Sequence, residues 1–374
     1  MNKKELELYI HIPFCVRKCS YCDFLSAPAT EQTREAYMAA LFAEIGGRAK
    51  DYSDRTVTSI FIGGGTPSLL SGEQIGQLMD RIREQFAMAQ DAEITMEVNP
   101  GTASAEKLRN FYTAGINRLS IGMQSAQAEE LKNLGRIHDF EGFCQVYREA
   151  VEAGFTNINV DIMSGLPGQT LASYRDTLEK VLHLEPMPQH ISAYSLIVEE
   201  GTPFAAMAER GELPLPEEET ERAMYEETIE VLAKYGFHRY EISNYARDGY
   251  ECRHNVGYWI RRDYLGFGIG AASLIDNVRF QNEKSLGAYL AHPLESREEE
   301  QTLTVQDRME ETMFLGLRLT RGVSCVDFAE QYGRTVEEVY GEVIARNVAD
   351  GLLTVTERKE NQKKDRFLAL TKRG

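Results

Sequence analysis

No run of apolar residues in this chain approaches the ~20 that a membrane-spanning helix needs, and positive charge is in short supply. Lys and Arg number 41 against 58 Asp and Glu, a formal net charge of −17. The first shortage argues against a helix that crosses a bilayer. The second argues against a polyanionic partner, because sequence-independent nucleic-acid binding needs a basic face and no long Lys/Arg run supplies one. Neither nucleic acid nor an anionic membrane surface is expected as a partner. The first residues, Met1-Asn-Lys-Lys-Glu-Leu-Glu-Leu, lack the apolar core of a secretory signal, so the expected location is the cytoplasm. No Gly-Lys-Ser/Thr follows the one glycine run, which excludes a Walker loop. Cysteine is scarce too. Of six, three crowd into residues 15–22, while Cys144, Cys252 and Cys325 are scattered. That is no disulfide framework, and it fits a reducing compartment and a metal site.

The crowded three are the most informative feature present. They stand in His11-Ile-Pro-Phe-Cys15-Val-Arg-Lys-Cys19-Ser-Tyr-Cys22-Asp-Phe24. Thiolates at this spacing can hold three irons of a cubane cluster and leave the fourth iron without a protein ligand, open to an outside molecule. The residues alone also admit a zinc knuckle or three unrelated core thiols, although zinc prefers four ligands and no second cysteine pair lies nearby. CxxxCxxC with an aromatic before the third cysteine resembles the loop of radical S-adenosylmethionine (SAM) enzymes. There the open iron of a [4Fe–4S] cluster is expected to chelate SAM.

At 374 residues there is room for one large domain and a smaller one. Leu6, Leu8, Ile10 and Ile12 alternate with polar or mixed residues, as in a strand. Strand-like runs recur at 58–62, 93–98, 117–121, 157–162 and 190–196. Helical patterns lie between them at about 33–49, 71–87, 104–114, 127–152 (with a break near Asp139) and 170–184, and another follows at 217–235. Strands alternating with helices predict parallel β/α units. Six strands are too few to close an eight-stranded barrel, so the expected fold is α/β, an open partial (β/α)6 barrel.

In such barrels catalytic groups gather at the C-terminal ends of the strands, and every unusual motif here falls at such a place. The first strand runs into the cysteines. The next four end in Gly63-Gly-Gly-Thr-Pro67, Glu97-Val-Asn-Pro100, Gly122-Met-Gln-Ser125 and the stretch from Asp161 to Gly165-Leu-Pro-Gly168. The sixth holds Tyr194 and Ser195. The glycines either admit a ligand close to the backbone or make a tight turn. Glu97 can accept hydrogen bonds from ribose hydroxyls or cap a turn. Gln124, Arg136 and Asp161 can reach a polar cofactor or form a structural salt-bridge network.

Together these motifs resemble the oxygen-independent coproporphyrinogen III oxidase family over nearly the whole chain. The resemblance implies a [4Fe–4S] cluster on Cys15, Cys19 and Cys22. It places Tyr9, Gly64 and Glu97 against one SAM molecule, and Tyr21, Gly65, Thr66, Gln124, Arg136, Asp161 and Ser195 against a second. Two departures matter. The oxidases carry a fourth cysteine where this chain has Phe24, and a longer segment before the first strand. Both point to the sister group of HemW-type haem chaperones, as does His254-Asn-Val-Gly-Tyr-Trp259, which matches the HNxxYW motif associated there with haem. A histidine can be an axial ligand to haem iron, Tyr258 and Trp259 offer flat surface, and Arg253, Arg261 and Arg262 can pair with propionates. The other reading is a packed aromatic turn with His254 bonded to backbone, and Cys252 is an alternative thiolate ligand.

The expected organisation is a barrel at 1–240, an extension with the HNxxYW motif at 241–290, an acidic linker at 291–305 and a small domain at 306–374. Helical patterns at 307–319, 323–332 and 335–348, followed by apolar runs near 352–355 and 367–370, predict a winged-helix-like unit. The expected function is a haem chaperone that delivers to acceptor proteins, membrane respiratory ones among them. An electron donor and a homodimer are implied by the resemblance. The alternative is oxidative decarboxylation of coproporphyrinogen III with SAM.

Overall fold

The computed structural model describes residues 3–295, 297–360 and 363–374. The chain opens with β1 (Lys4–Ile12), α1 (Glu31–Arg48), β2 (Arg55–Gly64), α2 (Gly72–Gln85), β3 (Ala87–Val98), α3 (Ala105–Thr113) and β4 (Arg118–Gln124). It continues with α4 (Ala128–Leu134), α5 (Phe140–Glu152), β5 (Ile158–Ser164), α6 (Leu171–Leu182) and β6 (His190–Ser195). Strands β1 to β6 pair in parallel and in sequence order. This is the expected open, partial (β/α)6 barrel.

Local signals start and stop the helices. Ser71 and Gln74 close a capping box on α2, whose Ile75, Leu78, Met79 and Ile82 are buried. Each such side chain contributes about 1.5–3 kcal/mol when removed from water. The break expected near Asp139 is real. Gly135 ends α4 in the left-handed conformation, and the Asp139 side chain accepts the Gly142 N–H to start α5.

The strands have two unlike faces. Leu6, Leu8, Ile10 and Ile12 of β1 point outward into one continuous apolar core under the helices, with Ile60, Ile62, Leu119, Ile121, Val160 and Ile191. The other face is polar: Glu7 and His11 on β1, Ser59 on β2, Glu93 and Thr95 on β3, Arg118 and Ser120 on β4, Asn159 on β5 and His190 on β6, all buried. Parallel strands place residues of equal phase side by side, so these groups line the hollow of the barrel.

After α7 (Pro203–Glu209) and α8 (Glu218–Lys234), β7 (His238–Arg239) and β8 (Asn244–Ala246) extend the sheet antiparallel beyond β6. Helix α9 (Arg253–Trp259) follows, and then β9 (Tyr264–Phe267), which pairs parallel with the outer edge of β1. The six predicted strands therefore have a seventh parallel neighbour. Strands β10 (Ala272–Ile275) and β11 (Val278–Asn282) continue antiparallel, and α10 (Leu286–Ala291) packs on α1. The stretch 291–305, expected as a linker, contains β12 (Arg297–Thr302), which pairs antiparallel with β11. It is the sheet's edge strand, exposed along its length and charged as edges are.

The last unit comprises α11 (Val305–Gly316), β13 (Val323–Ser324), α12 (Cys325–Tyr332), α13 (Val336–Ala349), β14 (Leu353–Glu360) and β15 (Lys363–Leu370). Its strands form a separate antiparallel sheet in the order β13-β15-β14. Its own small core holds Met309, Phe328, Val336 and Leu368. Helix, strand, two helices and a hairpin make the expected winged-helix-like arrangement. Among the described residues no helix is long and apolar enough to cross a membrane.

Candidate functional site

The cysteine loop leaves β1 at the C-terminal mouth of the sheet and is held there by backbone bonds. Cys15 donates to Ala27 O at 3.1 Å, Ser20 to Leu134 O at 3.0 Å, and Phe204 donates to Ser20 O at 3.0 Å. His11 ties the far side. Its Nε2 lies 2.9 Å from the Leu25 carbonyl, which can only accept, so Nε2 carries the proton and Nδ1 accepts from the Tyr9 hydroxyl at 2.9 Å.

Cys15, Cys19 and Cys22 are free, half-buried thiols lining one cleft. The Thr66 hydroxyl donates to Cys15 Sγ at 3.4 Å and Arg136 Nη1 donates to Cys19 Sγ at 3.9 Å. Burial pushes the Cys22 thiol up, and Cys19 and Cys15 push the same way. Three crowded thiols, two of which receive hydrogen bonds from outside the loop, suit a group that takes them as thiolates. Among the described residues no three His, Cys, Asp or Glu side chains converge as a single metal ion requires. A cubane makes no such demand, since each thiolate binds a different iron. The donor set therefore fits the expected cluster.

The same cleft is lined by Tyr21, Gly65, Thr66, Gln124, Arg136 and Asp161, with Gly64 and Glu97 at its border. Gly65 belongs there for a packing reason: a Cβ would lie 2.7–2.8 Å from the backbone of Ile12 and Phe14. Gly64 has φ +108°, and a Cβ would meet the His11 ring. Glu97 Oε2 accepts the Gly64 N–H at 3.0 Å. Burial, followed by the Asp161 carboxylate, pushes the Glu97 pKa up to about 8 against the pull of that amide. Burial also raises Asp161, which accepts from Asn159 Nδ2 at 2.7 Å and from Ser120 Oγ. Two carboxyls held above their ordinary range suit a ligand that brings positive charge and hydroxyls. Gln124 sits at a bulge ending β4, with φ +69°, a conformation rare outside glycine. Its Oε1 accepts from the Tyr194 hydroxyl at 2.9 Å, and Arg136 Nη2 donates to Gly122 O at 2.8 Å.

Ser195 does not line this cleft; it is exposed and bonds Ser164 Oγ at 3.1 Å. Successive strand residues face opposite sides, and here Tyr194 takes the inward place. The alternation His190-Ile-Ser192-Ala-Tyr194 carried that signal, since Ser192 pairs in register with Asp161.

A second cavity of about 400 Å³ adjoins the first, shares Phe24, Gly64 and Glu97 with it, and is otherwise lined by Tyr9, His11, Leu25, Tyr258, Tyr264 and small residues. Tyr9 thus stands with Gly64 and Glu97, apart from the other residues assigned to SAM. Phe24, in the place of the oxidases' fourth cysteine, is 60% exposed on the rim.

The HNxxYW residues part ways on α9. His254 is 1% exposed and points into the barrel, with Nδ1 2.9 Å from Ser59 Oγ and Nε2 3.0 Å from the Tyr258 hydroxyl. Burial and the guanidiniums of Arg118 and Arg262 lower its pKa to about 3, so the ring is neutral. Both ring nitrogens are engaged, one by Ser59 and the other by Tyr258. Its partners are side chains rather than backbone. Tyr258, one turn on, faces the second cavity. Trp259 instead lies under Arg318 of the C-terminal unit, 4.3 Å from ring centroid to guanidinium carbon. Cys252 is fully buried near Glu93, and burial pushes its thiol up to about 12. Arg253, Arg261 and Arg262 are paired with Asp91, Glu311 and Glu5 with Glu7 respectively, not free for propionates.

Comparison with known proteins agrees with this geometry. Residues 9–181 match the radical SAM superfamily, and 303–359 match the HemN C-terminal domain. The heme chaperone HemW of Bacillus subtilis (strain 168) is 40% identical over 352 residues, 92% of this chain and 92% of that protein. The heme chaperone HemW of Escherichia coli (strain K12) is 37% identical over 358 residues, covering 93% and 92%. Among solved structures, the coproporphyrinogen III oxidase HemN of Escherichia coli, a radical SAM enzyme, superposes with a TM-score of 0.83 at 27% identity, over 99% of this chain and 87% of that one. On identity and coverage of this extent, the chain belongs to the HemW family of the radical SAM superfamily.

Proposed function

We propose that the protein binds haem and passes it to acceptor proteins, membrane-bound haem enzymes among them, from a radical SAM scaffold. Cys15, Cys19 and Cys22 hold a [4Fe–4S] cluster. Tyr21, Gly65, Thr66, Gln124, Arg136 and Asp161 hold SAM beside it, and Tyr9, Gly64 and Glu97 border the adjoining cavity. Cluster and SAM together supply one-electron chemistry at the barrel mouth. The chain's own residues fix that chemistry in place: Thr66 and Arg136 direct donors at the cysteine sulfurs, and Glu97 and Asp161 receive a cationic ligand.

One observation carries the haem assignment. Tyr258 of the HNxxYW helix lines an apolar cavity that opens beside the cluster loop, where Phe24 replaces a cysteine with an exposed aromatic face. A porphyrin is flat and apolar, and aromatic walls suit it. The test is a titration of purified protein with ferric haem, followed at the Soret band, beside His254→Ala. A saturable one-to-one complex that is roughly tenfold weaker in the variant supports the reading. Conversion of coproporphyrinogen III to protoporphyrinogen IX by the reconstituted protein with SAM and reductant would overturn it in favour of the decarboxylase.

A further inference from the structure

Resting on the SAM reading of the cleft, we infer that Glu130, which lines neither cavity, is the positioning residue that aims Gln124 and Arg136 at SAM. Glu130 stands in the first turn of α4 and is buried. Three neutral donors share its two oxygens. Ser125 Oγ donates to Oε2 at 2.6 Å, Gln169 Nε2 donates to Oε2 at 3.0 Å, and Ser173 Oγ donates to Oε1 at 2.6 Å. A carboxylate only accepts, so one group can take all three. The donors come from the end of β4, the loop after β5 and the first turn of α6.

A buried carboxylate near a helix start is often no more than a support for that helix. What lies on either side of Glu130 gives it a narrower task. Ser125 follows Gln124, whose φ of +69° a residue other than glycine keeps only when its surroundings enforce it. The Ser125 hydroxyl enforces it from one side, accepting the Gln127 N–H at 2.9 Å while it donates to Glu130. Tyr194 holds the other side by donating to Gln124 Oε1, which leaves the amide nitrogen, not the oxygen, to meet a ligand. Gln169 carries the tie to β5. Its Nε2 also donates to Met163 O at 3.2 Å, two residues beyond Asp161, and its Oε1 accepts the Leu166 N–H at 3.2 Å.

The far end of α4 meets the cysteine loop. Ser20 donates to Leu134 O at 3.0 Å and Arg17 donates to Gly135 O at 2.6 Å. Arg136, next in the chain, donates to Gly122 O and Cys19 Sγ. One short helix therefore delivers Arg136 at its C-terminal end and is pinned by Glu130 at its start. The same carboxylate fixes the backbone beside Gln124. Loosening it frees two of the side chains assigned to SAM and leaves the three thiols on their own loop.

Ser125 and Ser173 form a matched pair for the test. Each hydroxyl accepts a backbone N–H, from Gln127 at 2.9 Å and Thr170 at 3.1 Å respectively, and donates to Glu130. Only Ser125 adjoins Gln124. The experiment reconstitutes the full chain, reduces its cluster and titrates SAM, following the change in the cluster's electron paramagnetic resonance signal. It compares the wild type with Glu130→Ala, Glu130→Gln, Ser125→Ala and Ser173→Ala. Glu130→Ala and Ser125→Ala are expected to need roughly tenfold more SAM, with cluster absorbance and haem affinity unchanged. The two changes together weaken SAM no further than Glu130→Ala alone, because they break one interaction. Glu130→Gln rescues to within about twofold of the wild type: its oxygen takes Ser125 and Gln169, and the Ser173 hydroxyl turns to Thr170 O, 3.1 Å away. Ser173→Ala also stays within about twofold, although it loses the same kinds of bond. Equal weakening by Ser125→Ala and Ser173→Ala overturns the inference, since Glu130 then supports the fold at large. So does a wild-type SAM response in Ser125→Ala, and the serine pair decides alone if Glu130→Ala does not fold. A wild type with no SAM-dependent change overturns the SAM reading as well.

Discussion

Single side chains in this protein are set by what lies one bond away. Gly65 lets the chain leaving β2 pass close to the chain leaving β1 where the cysteine loop begins, and its Cβ position is occupied by backbone that cannot move aside. Gly65→Ala is expected to destabilise the fold by about 3 kcal/mol and to abolish the cluster's broad visible absorbance on reconstitution. Glu7 offers a cleaner electrostatic test. Burial, against the opposing pull of Arg262, raises its pKa to about 8 from an ordinary 4.5. A carboxyl raised on folding favours the folded state below the unfolded value and loses that contribution as pH climbs toward 8. Glu7→Gln, which keeps the shape and cannot ionise, should therefore gain in melting temperature relative to the wild type as pH rises from 5 to 8.5. A constant difference across that range would show that Glu7 does not titrate on folding. At this scale the sequence revealed which side chains carry chemistry but not which way they point. His254 was legible as a ligand or as a packed residue, but its bonds to Ser59 and Tyr258 were not.

Elements were legible in proportion to how one-sided their surroundings are. The six parallel strands bury an apolar face under helices, so Leu6-Leu8-Ile10-Ile12 and its counterparts show in the sequence. β9 has four residues, too few to establish a period, although it completes the pairing of β1. β12 has both faces in water, so it shows no alternation and reads as an acidic linker. The winged-helix-like unit was legible because its helices begin at caps such as Thr304 with Asp307 and Thr335 with Glu338. Its core is small and separate. Phe328→Ala is expected to destabilise that unit by ~3–5 kcal/mol, detectable as protease sensitivity beyond residue 305, with cluster absorbance retained.

Across the whole molecule, the mouth of the barrel collects loops from the parallel strands, and that convergence made the candidate site readable in the sequence. What composition could not reveal is that the hollow beneath it is polar and closed by a distant helix: Cys252 and the Arg253 and His254 amides lie against Glu93. Cluster and floor are therefore separable. Cys19→Ser should lose the cluster's absorbance while leaving the far-ultraviolet dichroism and the haem affinity within about twofold of the wild type. Loss of haem binding along with the cluster would show that the two sites act as one.

The pairing of β1 with β9 also has a consequence in time. The ribosome delivers β1 and the three thiols well before β9, so the strand's outer edge has no partner until Tyr264 is made. At roughly 5–20 residues per second, the nascent chain waits about 10–50 s with that edge open. Glu5 and Glu7 stand along it, and a like-charged edge resists pairing with a second nascent strand. The carboxylate that later lies buried under α9 thus guards the strand during its most vulnerable interval, before the residues that will enclose it exist.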